Sequence, residues 1–511
     1  VKKPGLLDRL LRAVGLSRTP QKRGGFQGAV FNRLTSDWIK ASLRSANMDL
    51  RGDLRTLRAR SRDSVRNTSL GVRFHQLVRE NVVGPHGIRL QAKNAFQNGK
   101  PYETANTEIE GGWERWSRLG VCDASGKHSL KEFLALAAAN RAIDGEILIR
   151  KIRGKQRNGW GFSVLLMDPD LLDDNLHREP VDGLNAIRQG VEIDEMHRPV
   201  GYWCFTRHPS EALASSERIR YPAEDIIHVF RSMRPGQSRG YPDLAPAILS
   251  MKMLDGYIEA ELVAARTASA TMGAIETSID AADSVSIETG AGEVPLEAEP
   301  GALLQLLAGQ KLSLWDPQHP TSAFDPFVKA IKLDVATALG VSYSALTGDL
   351  SGANFSSMRA GMLPERDHWR SEQQFLIEQV LEPIFAEWLP AAALSRQLEL
   401  PSFDLAKWST IKWQPRGFDW VDPMKDTQSG LMEVGAGIST LTQLAAEQGR
   451  DLEDVLRERK AELELADALG VPLTLDANPK TTIADAADAG DAATSPARAL
   501  RVVGGRDRDA G

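Results

Sequence analysis

The sequence predicts an α+β fold, and three observations predict it. Long helical periodicities fill residues 244–389, strand-like runs alternate with shorter helices before residue 242, and 511 residues exceed what one small core can organise. Composition is that of a globular chain, 42% hydrophobic and 25% charged. No apolar run is long enough for a membrane helix, so no membrane partner is expected, and Val1-Lys2-Lys3-Pro4 opens no convincing signal peptide. Cys122 and Cys204 are too few for a disulfide framework and fit a reducing compartment. The formal charge of −6 speaks against a general DNA-gripping protein.

Residues 1–24 are basic and carry Pro4, Gly15, Pro20 and Gly24, which reads as a flexible arm, solvated or docking. Residues 25–242 form the α+β block. Its first helix, about Arg51 to Asn81, is dense in arginine: Arg51, Arg55, Arg58, Arg60, Arg62, Arg66, Arg73 and Arg79 surround an apolar face of Leu54, Leu57, Val65, Leu70, Phe74 and Leu77. Asp53, Asp63 and Glu80 interleave, so ion pairs in the structure or at an interface stand beside direct DNA contact. Strands are expected from Val82 onward in VVGPHGIRLQAK. A helix with Trp113 and Trp116 follows, and then one from Ser129 to Arg141 with Ser129 and Glu132 as a capping box. EILIRKIR, GWGFSVLLMDPDLL, Tyr202–Phe205 and Ile226–Phe230 supply four strands.

The first long helix spans 243–276, with Pro246 in its opening turn and Leu244, Ile248, Met251, Leu254, Ile258, Leu262 and Ala265 on one face. It thins to small side chains after Ala264, which permits close approach of another helix. Residues 277–320 are rich in Ala, Gly and acids, with strand-like patches at Ala302–Leu307 and Lys311–Trp315. A second helix, 321–349, starts near Phe324 and meets a stop at Gly340. The loop 350–357 contains Ser351, Gly352, Ala353, Asn354, Phe355, Ser356 and Ser357, whose glycine and Ser/Asn content allows backbone movement. A third helix, Ser357 to Leu389 within 358–424, should kink or break at Pro364. Trp408, Trp413 and Trp420 read as core and turn residues. Residues 425–474 are helical with alternating charge, and 475–511 lack the large apolar residues a core needs and are expected to be disordered.

Catalytic signals are weak. Gly236-Gln237-Ser238-Arg239-Gly240 is a literal G-x-S-x-G, which keeps a serine hydrolase as an alternative. A nucleophile elbow needs a strand running into the turn, however, and IIHVF ends six residues too early. The nine histidines never pair at the spacing of a helical zinc site, and Asp168-Pro169-Asp170 with Asp173 and Asp174 reads as a solvated turn before a cation site. No metal or cofactor is expected, nor any enzyme. Without G-x-x-x-x-G-K-[ST], the chain is no P-loop ATPase.

Four stretches carry a resemblance: RARSRDSVRNTSLGVRFHQLVRENVVGPHGIRL, RPGQSRGYPDLAPAI, LDGYIEAELVAARTASATMGAI and ATALGVSYSALTGDLSGANFSSMRAGML. In order and spacing they resemble the lambda-type phage portal proteins over roughly residues 25 to 470. That resemblance puts Ser238 in the variable slot of a Gly-Gln-x-Arg-Gly motif. It implies the portal fold: an α+β wing, a two-helix stem, a small α/β clip at 277–320, a tunnel loop at 350–357, a bent helix and a helical crown. It further implies a ring of identical subunits, usually dodecameric, at one capsid vertex of the virion, assembled in the host bacterial cytoplasm. Its expected partners are double-stranded DNA bound without sequence preference, the terminase large subunit, major capsid and scaffold proteins, and head-completion or tail connector proteins. A mildly acidic net charge suits a conduit, because every Lys or Arg on a phosphate adds sticking energy. Lys329, Lys332, Arg359 and Arg366 are candidate phosphate contacts and equally candidate intersubunit ion pairs. A non-viral structural ring or adaptor is the remaining alternative.

Overall fold

The computed structural model describes residues 43–96, 102–155, 157–181, 183–211, 217–270, 274–277, 310–313, 322–351, 355–418 and 423–470. The arm 1–24, the strand patch Ala302–Leu307, Trp420 and the tail 475–511 lie outside the described residues.

Ser45 caps the short helix α1 (Ala46–Leu50) by accepting from the Met48 amide. The arginine-rich stretch then forms two helices, α2 (Leu54–Asn67) and α3 (Ser69–Val78). Thr68 divides them, because its side chain accepts from the Gly71 amide and starts a new helix. The arginines of α2 turn inward as well as outward: Arg58 is buried, and Arg62 bonds Asp144 at 2.6 Å, Asp168 at 2.9 Å and Asp170 at 2.6 Å. Of the two open readings of this helix, in-chain ion pairing accounts for Arg55, Arg58 and Arg62.

After α3 the chain makes a π-helical turn, Arg79–Val83, where a strand was expected from Val82. Asn81 donates to the Leu77 carbonyl and Val82 and Val83 bury, so the apolar pair stays on the helix until Gly84, at φ 71°, ends it. The strand begins later, as β1 (Arg89–Ala92). Helix α4 (Glu103–Trp116) follows, and then α5 (Leu130–Asp144) with the expected capping box of Ser129 and Glu132.

Two antiparallel sheets follow. The first has order β3-β2-β8, from β2 (Glu146–Arg153), β3 (Phe162–Met167) and β8 (Ile226–Phe230). The second has order β4-β5-β6-β7, from β4 (Ala186–Arg188), β5 (Val191–Ile193), β6 (Pro199–Phe205) and β7 (Arg218–Pro222). Two of these strands, β4 and β5, are three residues long and too short for alternation to register, whereas β7 carries an Arg-Ile-Arg-Tyr alternation that is not among the expected strands.

The long helices come next: α6 (Ile248–Ala270), then β9 (Ala274–Thr277) paired with β10 (Gln310–Ser313), then α7 (Phe324–Ala338), α8 (Tyr343–Thr347) and α9 (Phe355–Leu376). Helix α6 starts at Ile248 and not at Asp243. Residues 243–247 are turns in which Ala245 donates to Pro242 and Ala247 to Leu244, while the Asp243 carboxylate is drawn to Arg141. Helix α9 runs through Pro364 without a break, and the irregularity falls instead at the π-helical turn Ile377–Leu381. The chain continues without a break as α10 (Glu382–Leu394), so Pro383, which has no N–H to offer the preceding turn, stands two residues past the widened winding. Strand β11 (Ile411–Gln414) returns to pair with β1, Trp413 opposite Leu90. The helices α11 (Pro423–Gly435), α12 (Leu441–Glu447) and α13 (Leu452–Ala468) close the described chain.

The main core is aromatic where α4, α10, β3 and β11 meet. Trp113 lies 5.0 Å from both Trp116 and Trp388 and 5.5 Å from Trp413, edge-on to the last two. A smaller core under the four-stranded sheet gathers Leu148, Met167, Leu172, Val191, Ile193, Tyr202, Cys204 and Ile226. Glu192 straps this sheet, accepting from Arg220 at 2.8 Å, Trp203 Nε1 at 3.2 Å and Asn185 at 3.1 Å. The Arg220 hydrogen bond leads in holding its carboxyl at about 2.

A depressed carboxyl stabilises the fold above its unfolded-state pKa and loses that contribution as pH falls toward the folded value. Wild type should therefore exceed Glu192→Gln in urea-unfolding free energy near neutrality. The gap should close as pH drops from about 4.3, the ordinary glutamate value, toward about 2.

Candidate functional site

The local chemistry builds outward from Glu146, the first residue of β2. Its side chain is fully enclosed and receives Arg58 at 2.7 Å, the Arg239 Nε at 2.9 Å, His228 Nε2 at 2.9 Å and the Gly240 amide at 3.0 Å. Burial alone would raise the carboxyl; Arg239 and His228 outweigh it and hold the group far below the usual range. Arg239 also donates to the Gln189 carbonyl at 2.7 Å, and Gln237 donates to the Arg239 carbonyl at 2.7 Å. Two glycines make the approach possible. A Cβ on Gly240 would lie 2.0 Å from the Gly145 carbonyl oxygen, and one on Gly145 would lie 2.1 Å from the Tyr241 carbonyl carbon. The stretch Gly236–Gly240 is therefore a lock that fixes the chain just before α6.

Ser238, the serine of the literal G-x-S-x-G, meets Asn47. Its amide donates to Asn47 Oδ1 at 2.8 Å, and its hydroxyl accepts from Asn47 Nδ2 at 3.3 Å. No histidine or carboxylate stands among its described hydrogen-bond partners, and the serine hydrolase alternative is not supported. The two thiols are no nucleophiles either, since burial pushes both Cys122 and Cys204 up to about 12. Asp168, Asp170 and His208 have ligand atoms within 4.8 Å of one another, the one such cluster among the described residues. Arg62 bonds both aspartates and Arg58 bonds Asp170, so guanidinium groups already neutralise the carboxylates.

A second ionic joint ties three segments beside a cavity of about 380 Å³. Buried Arg141 of α5 bonds Asp243, ahead of α6, at 2.7 Å and Glu372 of α9 at 2.5 Å; Arg231 joins Glu372 at 2.8 Å. His368 borders the same cavity, and burial lowers its pKa. None of this joint was foreseen. The only signal was an arginine, Arg141, on an otherwise alanine-rich buried helix.

The α6/α7 hairpin packs through Met251, Leu254 and Val335, with Tyr257 stacked on Phe324 at 5.8 Å and edge-on to Phe327 at 5.1 Å. Ser250 reaches Asp334 at 3.3 Å. Gly340, at φ 68°, ends the α7 segment as expected. Helix α8 is then capped by Ser342 and pinned by Arg73, which donates to the Ala345 carbonyl at 3.1 Å. Gly348 turns left-handed, and Asp349 accepts from Tyr343 Oη at 3.1 Å and the Ser351 amide at 2.8 Å. The segment beginning at Leu350 thus starts from a fixed base.

Of the residues singled out there, Ser351 is exposed, and Gly352, Ala353 and Asn354 lie outside the described residues. Phe355, Ser356 and Ser357 belong to the first turn of α9, which shortens the loop relative to 350–357. Arg359 is helical, its side chain outside the described set. Arg366 has its guanidinium 5.9 Å from the Phe418 ring, which places it against its own chain. Lys329 is exposed, its ammonium 5.5 Å from the Tyr343 ring, and Lys332 is half-buried.

The family described as "Phage portal protein, lambda family" matches residues 31–373. The "Probable portal protein" of Halomonas phage phiHAP-1 is 32% identical over 488 residues, covering 92% of this chain and 94% of that protein. "Portal protein B" of Escherichia phage lambda is 23% identical over 443 residues, 79% of this chain and 82% of that one. Among solved structures, the neck of a native GTA particle computed with C12 symmetry is similar at a TM-score of 0.42 and 13% identity, covering 78% of this chain and 94% of that chain.

Breaking the lock should be costly and removing the serine should not. Glu146→Gln should lower unfolding free energy by about 3–5 kcal/mol by leaving Arg239 and Arg58 uncompensated, whereas Ser238→Ala should cost about 1 kcal/mol or less in the same denaturation series.

Proposed function

Because this chain belongs to the lambda family of phage portal proteins, we propose a division of labour for it at the capsid portal vertex. It is a portal subunit. Copies of it form a closed ring, in our reading a dodecamer, whose hole passes duplex DNA during packaging and ejection. Residues 25–242 serve as the wing, 243–276 and 321–349 as the stem, 277–320 as the clip, 358–424 as the bent helix and return to the wing, and 425–474 as the crown. The tunnel loop is 350–357, with Ser351, Gly352, Ala353, Asn354, Phe355, Ser356 and Ser357 nearest the DNA.

The observation that carries this reading is that α6 is apolar on two opposite sides. One side, with Met251 and Leu254, packs inside the chain. The other presents Leu249 at 69% exposure, Met253 at 65% and Val263 at 55%. A helix with an apolar stripe on each of two sides calls for a partner on each, and a ring of hairpins supplies the second. Contacts that repeat by rotation close such a ring.

The chemistry proposed is geometric and not enzymatic. Among the described residues, buried and half-buried arginines such as Arg58, Arg62, Arg141 and Arg239 are engaged with the chain's own carboxylates, which supports weak, sequence-independent contact with passing phosphate. Lys329 and Lys332 remain proposed phosphate or intersubunit partners, as does Arg359; Arg366, packed on Phe418, is the weaker candidate. Terminase large subunit, capsid and scaffold proteins, and head-completion or tail proteins are the proposed partners, with assembly in the host bacterial cytoplasm.

Electron-microscope class averages of the purified chain should show rings with a central hole, and a stable monomer would overturn the reading. Within rings, Phe355→Ala should leave assembly intact and reduce the DNA retained per particle; unchanged DNA content would remove 350–357 from the channel.

A further inference from the structure

We infer that a groove beside β1 receives the basic arm, residues 1–24, as an added extended strand. The inference stands whether or not copies close into a ring. Strand β1 is paired on one side only, with β11. Lys93 donates to the Thr410 carbonyl at 2.9 Å, so in the alternating ladder the N–H and C=O of Leu90 and Ala92 point away from β11. Glu110 accepts from the Ala92 amide at 2.7 Å, while the backbone groups of Leu90 have no partner among the described residues. A strand edge left open in this way is a template for an extended segment.

Space lies along that edge. Two cavities of about 230 and 700 Å³ share Arg89, Leu90, Thr107, Glu110 and Asp454, and so run together as one groove between β1, α4 and the start of α13. Helix α4 is thinned beside it. Of its two adjacent glycines, Gly112 is required, since a Cβ there would lie 2.3 Å from Leu398 Cδ2. A Cβ on Gly111 would meet only Arg115 Nη1, at 3.5 Å, so packing within the chain does not call for a residue that weakens a helix interior. Gly111 lines the larger cavity, and its bare backbone widens the groove next to Leu90.

Charge and reach identify the occupant. Glu103, Glu110 and Glu114 of α4 line the groove with Asp451, Glu453 and Asp454 at the start of α13, against four Lys and Arg side chains. Burial raises the Glu110 carboxyl, and Asp454 and Asp451 add to the rise, so a cation brought beside it is favoured. Residues 1–24 carry seven Lys and Arg against Asp8 alone. Helix α1 is held at the Gly236–Gly240 lock through Asn47. From that lock, at Asp144, α5 runs about 22 Å to the groove, at Ser129 and Leu130. The residues between 24 and 43 extend to roughly 60 Å, ample for the crossing.

The experiment uses the full chain with p-benzoylphenylalanine in place of Thr107, which is exposed on α4 and lines both cavities. After irradiation, the cross-linked peptides should come from residues 1–24. Mixing isotopically heavy and light copies shows whether each arm lies in its own copy's groove or in a neighbour's, and either origin bears the inference out. No cross-link, or links confined to other segments, would overturn it. A second readout is the rate at which trypsin removes the arm. Gly111→Leu should fill the groove, keep the circular dichroism of the unmodified chain and speed that cleavage about tenfold. Glu114→Lys combined with Asp454→Lys, which leaves the strand edge intact, should speed it likewise. Arm cleavage unchanged in either variant would overturn the docking.

Discussion

The enclosed carboxylate of Glu146 is the constraint from which the rest of the arrangement follows. It binds groups from α2, β8 and the segment ahead of α6, so one side chain fixes the angle at which the helical hairpin leaves the sheet. Such a group is expensive to desolvate and tolerates no missing partner. The backbone answers with Gly145 and Gly240, which let two strands of chain come closer than any side chain would allow. The Arg141 joint repeats the device one layer further out, tying α9 to the same segment.

This inward use of charge lets a chain with so many arginines suit a conduit. Arg58, Arg62, Arg141 and Arg239 act as internal ties, each matched to carboxylates of its own subunit. What they hold in place is a hairpin with a largely uncharged outer stripe on α6, suited to packing more than to gripping phosphate.

The sequence made the long elements legible and left their joints obscure. The capping box at Ser129, the strand EILIRKIR and the stop at Gly340 depend on neighbours a few residues away, and each appears where local pattern placed it. The start of α6 moved to Ile248 because Asp243 answers to Arg141, a hundred residues earlier. Val82 and Val83 read as strand by composition, yet tertiary packing keeps them on a helix. Pro364 failed to break α9, and the irregular turn falls instead at Ile377–Leu381, just ahead of Pro383. At the candidate site, the Gly-Gln-x-Arg-Gly resemblance located the lock, but its mate, Glu146, could be found only in three dimensions.

The wide turn at Ile377–Leu381 has a consequence for how the two helices it joins can change. A π turn spreads one residue beyond the regular helical count over about the same rotation, so α9 and α10 keep their relative facing across it. The face α10 offers to the tryptophans therefore stays in phase with the face α9 offers to Arg141 and Arg231 through Glu372. A one-residue deletion confined to this turn would restore ordinary winding with little rotation of either helix. The tryptophan cluster and the Glu372 joint would both keep their orientation.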